Sequence, residues 1–301
     1  MDGSGSARWA GRRGHSGLLR DREARRRDSR QQRRPRVTLV DGAIIVLAGI
    51  AAGIINVVAG AGTLITFPVL LALGVPPIIA NVSNTVGLVP ASVVGAVGYR
   101  RELATQWRAV AWMALFSAVG GITGGLLLLV LPGGFFAGVV PFLLLAALLS
   151  AIQPRVARFV RRRATAGPAG TSLRDAEEAA TDARPLTLGL TLGVLATGVY
   201  GGYFGAAQGV VLLALLGILW SSDLHRANGA KNVLAGMANL LSAIVFIASG
   251  TVDWRIAILI GVGSAAGGWL GARIGRRLPA PVLRTILVLV AVIAAVVLFA
   301  T

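Results

Sequence analysis

Long apolar runs recur along the chain from Val37 to Thr301, and they constrain the fold more than any other feature. Most are close to the roughly 20 residues that an α-helix needs to cross about 30 Å of hydrocarbon. A helix satisfies the hydrogen bonds of its own backbone, whereas lipid offers no hydrogen-bond partners. With 55% hydrophobic residues, the chain is also too apolar for a soluble domain of this size. We therefore predict an all-α, polytopic membrane helical bundle.

The apolar segments divide evenly around a polar linker. They cover residues 38–59, 61–75, 77–98, 107–131, 134–153, 187–204, 206–220, 227–249, 254–272 and 281–301. We predict four regions, a basic disordered cytosolic tail (1–36), a first membrane repeat (37–153), a basic cytosolic linker (154–186) and a second membrane repeat (187–301). Short or broken helices leave the number of membrane segments between eight and ten.

The two halves also match in sequence. "SAVGGITGG" at 117–125 corresponds to "SAAGGWLGA" at 264–272, a shift of 147 residues. The same shift relates Trp107-Arg108 to Trp254-Arg255 and Asn81 to Asn228. Several matches in one register predict a tandem duplication. Repeats in a polytopic protein are typical of transporters whose site lies between the halves.

The basic charge is concentrated outside the apolar runs. Of the net +17, residues 1–36 supply 12 arginines against 4 acids, and the 154–186 linker supplies 7 against 4. Arginine-rich tails beside a membrane are usually solvated or touch anionic lipid, so we expect the lipid bilayer as a partner and no nucleic acid. The chain has no cysteine, which excludes disulfides and thiolate sites.

The positive-inside rule gives conflicting signals for topology. It puts the tail, the linker and "YRREL" at 99–103 in the cytosol, which requires four crossings in the first half and parallel halves. The same count leaves Arg273, Arg276 and Arg277 outside, whereas five crossings would bring them in. We expect the parallel arrangement by a narrow margin.

Each half contains a glycine-rich break before a short apolar piece. "AGTLITFPVLLALG" at 61–74 is only about 21 Å of helix and corresponds to the region after "GVYGGYFGAAQG" at 198–209. Half-helices that start near Gly62 and Gln208 would aim unpaired N–H groups and positive dipole ends into a cavity, which favours an anion. Close helix packing is the other role for such glycines, and we expect it for the Gly120/Gly124 and Gly267/Gly271 pairs.

The only lysine of the chain, Lys231, lies in the apolar segment that begins with "ANGAKN". Asn228, Lys231 and Asn232 share a helix face by their spacing of three and four residues. Their counterparts in "ANVSNT" are Asn81, Asn84 and Thr85. A lysine near the bilayer centre costs roughly 2.5–3.5 kcal/mol, which a bound anion could offset. Interhelical hydrogen bonding by the amides, and snorkelling of Lys231 to the interface, are the alternatives.

The order of these features resembles the TauE/SafE family of sulfite-exporter-like membrane permeases. The resemblance rests on "GAGTLITFP", then "ANVSNT", then a glycine-rich fourth piece, repeated after the linker, and covers residues 40–300. It implies export of sulfite or of an organosulfonate such as sulfoacetate by a bacterial inner-membrane protein. Thr63 and Gln208 add side chains at the breaks where members of the family often have none.

We therefore predict a secondary transporter that exports a small anion by alternating access between two repeats, with the N-terminal tail cytosolic. Lys231 is the expected charge partner, with asparagines as hydrogen-bond donors and the breaks as dipole ends. The predicted substrate-binding residues are Gly60, Ala61, Gly62, Thr63, Asn81, Asn84, Thr85, Gly205, Ala206, Gln208, Asn228, Lys231 and Asn232. We expect no catalytic residue, metal or cofactor.

Three further points stay open at this level. An anion channel or a non-transporting scaffold fits the same pattern, whereas an enzyme is disfavoured because the chain has two histidines, no cysteine and no clustered carboxylates. Uniport is the simplest driving mechanism, since an inside-negative potential pushes a monoanion outward by about 2.3 kcal/mol per 100 mV. A homodimer is one of the assemblies that the sequence leaves open.

Overall fold

A computed structural model describes residues 38–131, 185–221 and 223–274. Within these residues every regular element is an α-helix. The helices are α1 (Leu39–Ala59), α2 (Thr63–Ala72), α3 (Pro77–Gly98), α4 (Trp107–Val130), α5 (Leu188–Tyr203), α6 (Gln208–Leu219), α7 (Leu224–Ala248) and α8 (Trp254–Ile274). The tail, the linker and the predicted segments 134–153 and 281–301 lie outside the described residues.

Local signals fix where the helices begin and end. Thr38 caps α1 through a reciprocal capping box with Asp41, and Gly60 ends the helix in the left-handed conformation at φ 78°. Helix α7 begins three residues before the predicted apolar segment. Asp223 is the reason, because its Oδ1 accepts the backbone N–H groups of His225 (2.8 Å) and Arg226 (3.4 Å).

The lengths of the helices fit a multi-pass membrane protein. Five of the described helices, α1, α3, α4, α7 and α8, are long and apolar enough to cross a bilayer. Helices α2 and α6 have only 10 and 12 residues, as expected from the glycine-rich breaks that precede them. Helix α5 has 16 residues.

The long helices pack in two groups of three. We call α1, α3 and α8 group A, and α4, α5 and α7 group B. Within each group the helices run parallel, as successive contacts show: Gly49 lies on Ile260 and Gly263, Gly53 on Ser264 and Gly268, and Gly267 on Ile50. Gly120 and Gly124 lie in the same way against α5. The predicted packing role of the Gly120/Gly124 and Gly267/Gly271 pairs is confirmed, because a Cβ at any of them would meet backbone of the neighbouring helix.

The two groups meet along α3 and α7, and there the helices are antiparallel. Ser92 faces Gly236, Gly95 faces Asn232 and Tyr99 faces Gly229. Group A and group B therefore point in opposite directions. The helices that the predicted repeat pairs, α1 with α5, α3 with α7 and α4 with α8, therefore run in opposite directions, and the expected parallel arrangement is wrong.

The misleading signal was the distribution of arginine. Arg100, Arg101, Arg226 and Arg273 lie at the end of the bundle where α3 ends and α7 begins, whereas Thr38 lies at the opposite end. The positive-inside count puts the start of α1 and "YRREL" on the same side, whereas the described helices put them at opposite ends, so the count could not give a consistent answer.

Candidate functional site

The two glycine-rich breaks contact each other inside the bundle. The backbone N–H of Gly209, at the start of α6, donates to the carbonyl of Gly60, just after α1 (3.0 Å). A Cβ at either residue would overlap the backbone of the other. Ala207, immediately before α6, has φ 55°, which is uncommon for a residue other than glycine. The ends of the broken helices are thus held together by direct backbone contact.

Lys231 lies beside this crossing, fully buried. Its Nζ donates to the carbonyl oxygens of Asn56 and Val57, each at 3.0 Å, and its stem packs against Gly209. Asn228 and Asn232 also donate to the Val57 carbonyl, at 3.4 and 3.3 Å. These carbonyls belong to the last turn of α1, which has no helical donors left for them and carries the negative end of the helix dipole. The ammonium is therefore paired with a helix C-terminus, and the snorkelling alternative is not observed.

The counterpart face on α3 binds the other break. Asn81 donates to the carbonyl of Tyr203, the last residue of α5, at 2.9 Å. Asn84 donates to Thr63 Oγ1 at 3.1 Å and accepts a hydrogen bond from Thr66. Each polar face thus donates to a break region, the lysine face to the end of α1 and the α3 face to the end of α5 and the start of α2.

The two polar faces share no hydrogen bond within the described residues, and the single enclosed site suggested by the sequence stays a prediction. Asn232 lies opposite Gly95, which is eleven residues, or about 16 Å of helix, from Asn84 along α3. The structure brings together Asn228, Lys231, Asn232 and the Gly60–Gly209 crossing, which we call the lysine cluster. Asn81, Asn84, Thr85 and Thr63 form a separate cluster along α3, where Thr85 donates within its own helix to the Asn81 carbonyl (2.9 Å).

The remaining predicted residues at the second break make hydrogen bonds within the protein. Gln208 turns back onto α5, where its Nε2 donates to the Thr197 carbonyl (3.3 Å), and the Ala206 carbonyl accepts the hydroxyl of Tyr200. Gly205 adopts φ 73°. The first N–H groups of α6 are already used, since Gln208 N–H donates to Gly205 (3.2 Å) and Gly209 N–H to Gly60.

The first half differs at the same place. Ala61 and Gly62 are buried between α1 and α2, and no hydrogen bond within the described residues engages the N–H groups of Gly62 and Thr63. The expected unpaired N–H groups at a helix N-terminus are therefore present at α2 but not at α6.

Comparison with known proteins identifies the family of the chain. The family model described as sulfite exporter TauE/SafE matches residues 45–298, which include every described helix apart from the first turns of α1. The chain belongs to the TauE/SafE family.

Curated relatives match most of the chain. A probable membrane transporter protein, ORF9, of Sinorhizobium sp is 28% identical over 86% of this chain and 92% of its own length. One from Haemophilus influenzae is 26% identical over 77% of this chain and 84% of its own length, and YfcA of Escherichia coli K12 is 25% identical over 78% and 79%. No solved structure matches. All three relatives are named as probable membrane transporter proteins, and none of these names specifies a substrate.

Sequence reasoning missed the hydrogen-bond acceptors of the lysine cluster. The Asn56 and Val57 carbonyls are backbone atoms, so no side-chain pattern marks them. Their position at the end of an apolar segment, directly before a glycine break, was the one available signal, because the last carbonyls of any helix need donors from elsewhere.

Proposed function

We propose that this chain is a secondary transporter of the bacterial inner membrane that exports a small anion of the sulfite or organosulfonate class. The observation that carries the proposal is the fully buried Lys231 ammonium at the crossing of the two breaks. Membership of the TauE/SafE family supports the transport of a sulfur oxyanion.

Lys231 retains capacity to bind a ligand. An ammonium has three N–H donors, and Lys231 uses two of them on the Asn56 and Val57 carbonyls. The third has no hydrogen-bond partner among the described residues. The helix end offsets part of the cost of a buried cation, and an anion at the third donor would neutralise it further.

Alternating access would use the two helix groups rather than the two sequence halves. Helix α1 packs on α8 as α5 packs on α4, and α3 packs on α8 as α7 packs on α4. This reciprocal pairing supports the predicted duplication, with the fourth helix of each half exchanged into the other group. Inverted repeats of this kind are common in carriers with two mirrored conformations. The moving units in our proposal are group A and group B.

Three of the four described carboxylates are helix caps, which supports uniport, and the fourth, Glu102, lies in the turns that follow α3. Asp41, Asp223 and Asp253 each accept backbone N–H groups at the start of a helix, with Asp41 acting through its box with Thr38, so they serve as caps. The membrane potential alone favours export of a monoanion by about 2.3 kcal/mol per 100 mV.

Flux through liposomes tests the function. We expect saturable, potential-driven uptake of sulfite or an organosulfonate by the purified chain, reduced roughly 10- to 100-fold in Lys231→Gln, because a hydrogen bond to a charged group contributes about 1.5–3 kcal/mol. Arg273→Gln is the matched control, since it removes an exposed cation that lies over Trp269 and is expected to keep normal flux.

Each alternative has its own signature in the same assay. Near-normal flux in Lys231→Gln would rule out its role, and flux that never saturates would indicate a channel. Absence of flux for every anion tested would indicate a scaffold. Transport that needs a pH gradient and ignores an imposed potential would contradict uniport.

A further inference from the structure

We infer that Asn228 is a specificity-determining residue, and that the lysine cluster selects monoanions that carry their own O–H or N–H donor close to the charged group. The inference rests on the proposed function and narrows its substrate class. It points to protonated or hydroxyl-bearing sulfur oxyanions over fully deprotonated ones.

The carboxamide of Asn228 is only half used. Its Nδ2 donates to the Val57 carbonyl, an oxygen that can only accept, so the amide must turn its nitrogen toward it. The other end, Oδ1, is buried and has no hydrogen-bond partner. The residue as a whole is 6% exposed, so bulk water does not supply the missing donor.

A donor and an acceptor therefore lie side by side in this cluster. Lys231 Nζ and Asn228 Nδ2 lie within 3.4 Å of the same Val57 oxygen, so the two side chains are neighbours around that atom. Lys231 offers an N–H to the negative charge, and Asn228 Oδ1 offers a lone pair. A ligand that satisfies both groups must be an anion at one end and a donor at the other.

The energetic consequence favours one class of anion. An anion with acceptor oxygens alone leaves the Oδ1 atom without a donor, at the full cost of its desolvation, and adds repulsion between oxygens. A ligand O–H or N–H removes that cost. Sites with such a buried polar group reject analogues that lack the matching group more strongly than apolar pockets reject a change in size.

The counterpart cluster explains why this selection is assigned to Asn228. Asn81 also has a buried Oδ1 without a partner, but the position equivalent to Lys231 is Asn84, whose amide is engaged by Thr63 and Thr66. The α3 cluster thus has the acceptor and lacks the charge. An anion would be bound and selected at the lysine cluster.

The test uses a matched pair of ligands that differ in one hydroxyl. Isothermal titration of the purified full-length chain compares 2-hydroxyethanesulfonate with ethanesulfonate, in the wild type, in Asn228→Leu and in Asn239→Leu. The last is the control, with the same substitution on the same helix, eleven residues further along α7. We expect the wild type and Asn239→Leu to bind the hydroxylated sulfonate about tenfold more tightly or better, and Asn228→Leu to bind the two about equally.

The outcomes separate this inference from the proposed function. Equal affinity of the wild type for the two sulfonates would overturn the inference without any variant, and would indicate that a trapped water already satisfies Oδ1. A preference that survives in Asn228→Leu would overturn it as well. If instead neither sulfonate nor sulfite binds the wild type, the proposed function itself fails.

Discussion

At the residue scale, Lys231 caps the end of α1 and, in our proposal, also binds the anion. It supplies donors to the last turn of α1 and keeps one donor for a ligand. A lysine that only bound substrate would not affect the empty protein, whereas a lysine that caps a helix must contribute to its stability. These two roles can be measured separately.

Lys231→Met is expected to lower the stability of the ligand-free protein. The variant keeps an unbranched apolar stem but leaves the Asn56 carbonyl without its donor, and an unsatisfied buried acceptor costs about 1–3 kcal/mol. Thermal melting in detergent without any added anion measures the effect. An unchanged melting temperature would show that the contact with α1 is not stabilising, and Leu240→Met, on an exposed position of the same helix, is the control.

The sequence predicted one side of these contacts better than the other. The spacing of Asn228, Lys231 and Asn232 correctly placed three side chains on one helix face, because that follows from 3.6 residues per turn. Their partners could not be predicted, since the acceptors are backbone atoms in the other half of the chain. The opposite directions of the two halves were missed for a related reason, because they depend on the antiparallel register of α3 and α7.

At the scale of the elements, the breaks depend on glycine for close approach. Gly60 and Gly209 contact each other through backbone atoms, and Gly60 also needs a positive φ. Gly217, on the same helix as Gly209, has no atom within 4 Å of the place a Cβ would take. The two glycines of α6 thus offer a direct comparison of crowded and open positions.

Gly209→Ala is expected to destabilise the protein by about 1–3 kcal/mol, the usual cost of overpacking, and to abolish transport by separating the breaks. Gly217→Ala is expected to be neutral or to stabilise by up to about 1 kcal/mol through helix propensity. Melting temperatures and liposome flux measure the two effects. Equal behaviour of the two variants would contradict the close crossing.

Helix boundaries were more predictable than helix directions. Within the described residues, each predicted apolar segment contains or overlaps one helix, and the largest shift at a start is at α7, where Asp223 adds a turn of polar residues. Direction depends on which helices pair, and glycines on one face do not specify the partner. The sequence therefore predicted the packing glycines correctly and the relative orientation of the halves incorrectly.

At the scale of the whole molecule, transport is proposed to move group A against group B. The seam between the groups includes the contact of Ser92 with Gly236, where a Cβ on the glycine would lie 3.1 Å from the serine Cβ. Within group A, a Cβ on Gly98 would lie 2.7 Å from that of Ala272. The chain has no cysteine, so no native thiol would interfere with engineered cysteine pairs.

A disulfide across the seam is expected to stop transport. Ser92→Cys with Gly236→Cys should lose flux when oxidised and regain it with reductant, whereas Gly98→Cys with Ala272→Cys should keep flux in both states because it joins helices of one group. Both pairs need only small shifts to reach the usual Cβ separation of about 3.8 Å. Full flux through the oxidised seam pair would contradict motion between the groups.

The inverted arrangement also predicts sidedness. Ala104 follows α3 and Ala248 ends α7. Both residues are exposed, and they lie at opposite ends of the bundle. With cysteine at one position at a time, a membrane-impermeant maleimide should label one variant from outside intact cells and the other only after permeabilisation. Labelling of both from the same side would be incompatible with antiparallel α3 and α7.

The exchange of α4 and α8 between the groups has a consequence for the integrity of the polypeptide. Each group takes two of its helices from one half and the third from the other. A protease cut between Leu131 and Pro185 would therefore leave two fragments that interlock rather than two self-sufficient modules. Either fragment made alone would expose the glycine-lined groove that its missing helix fills, and only co-production would let the pair shield each other from lipid.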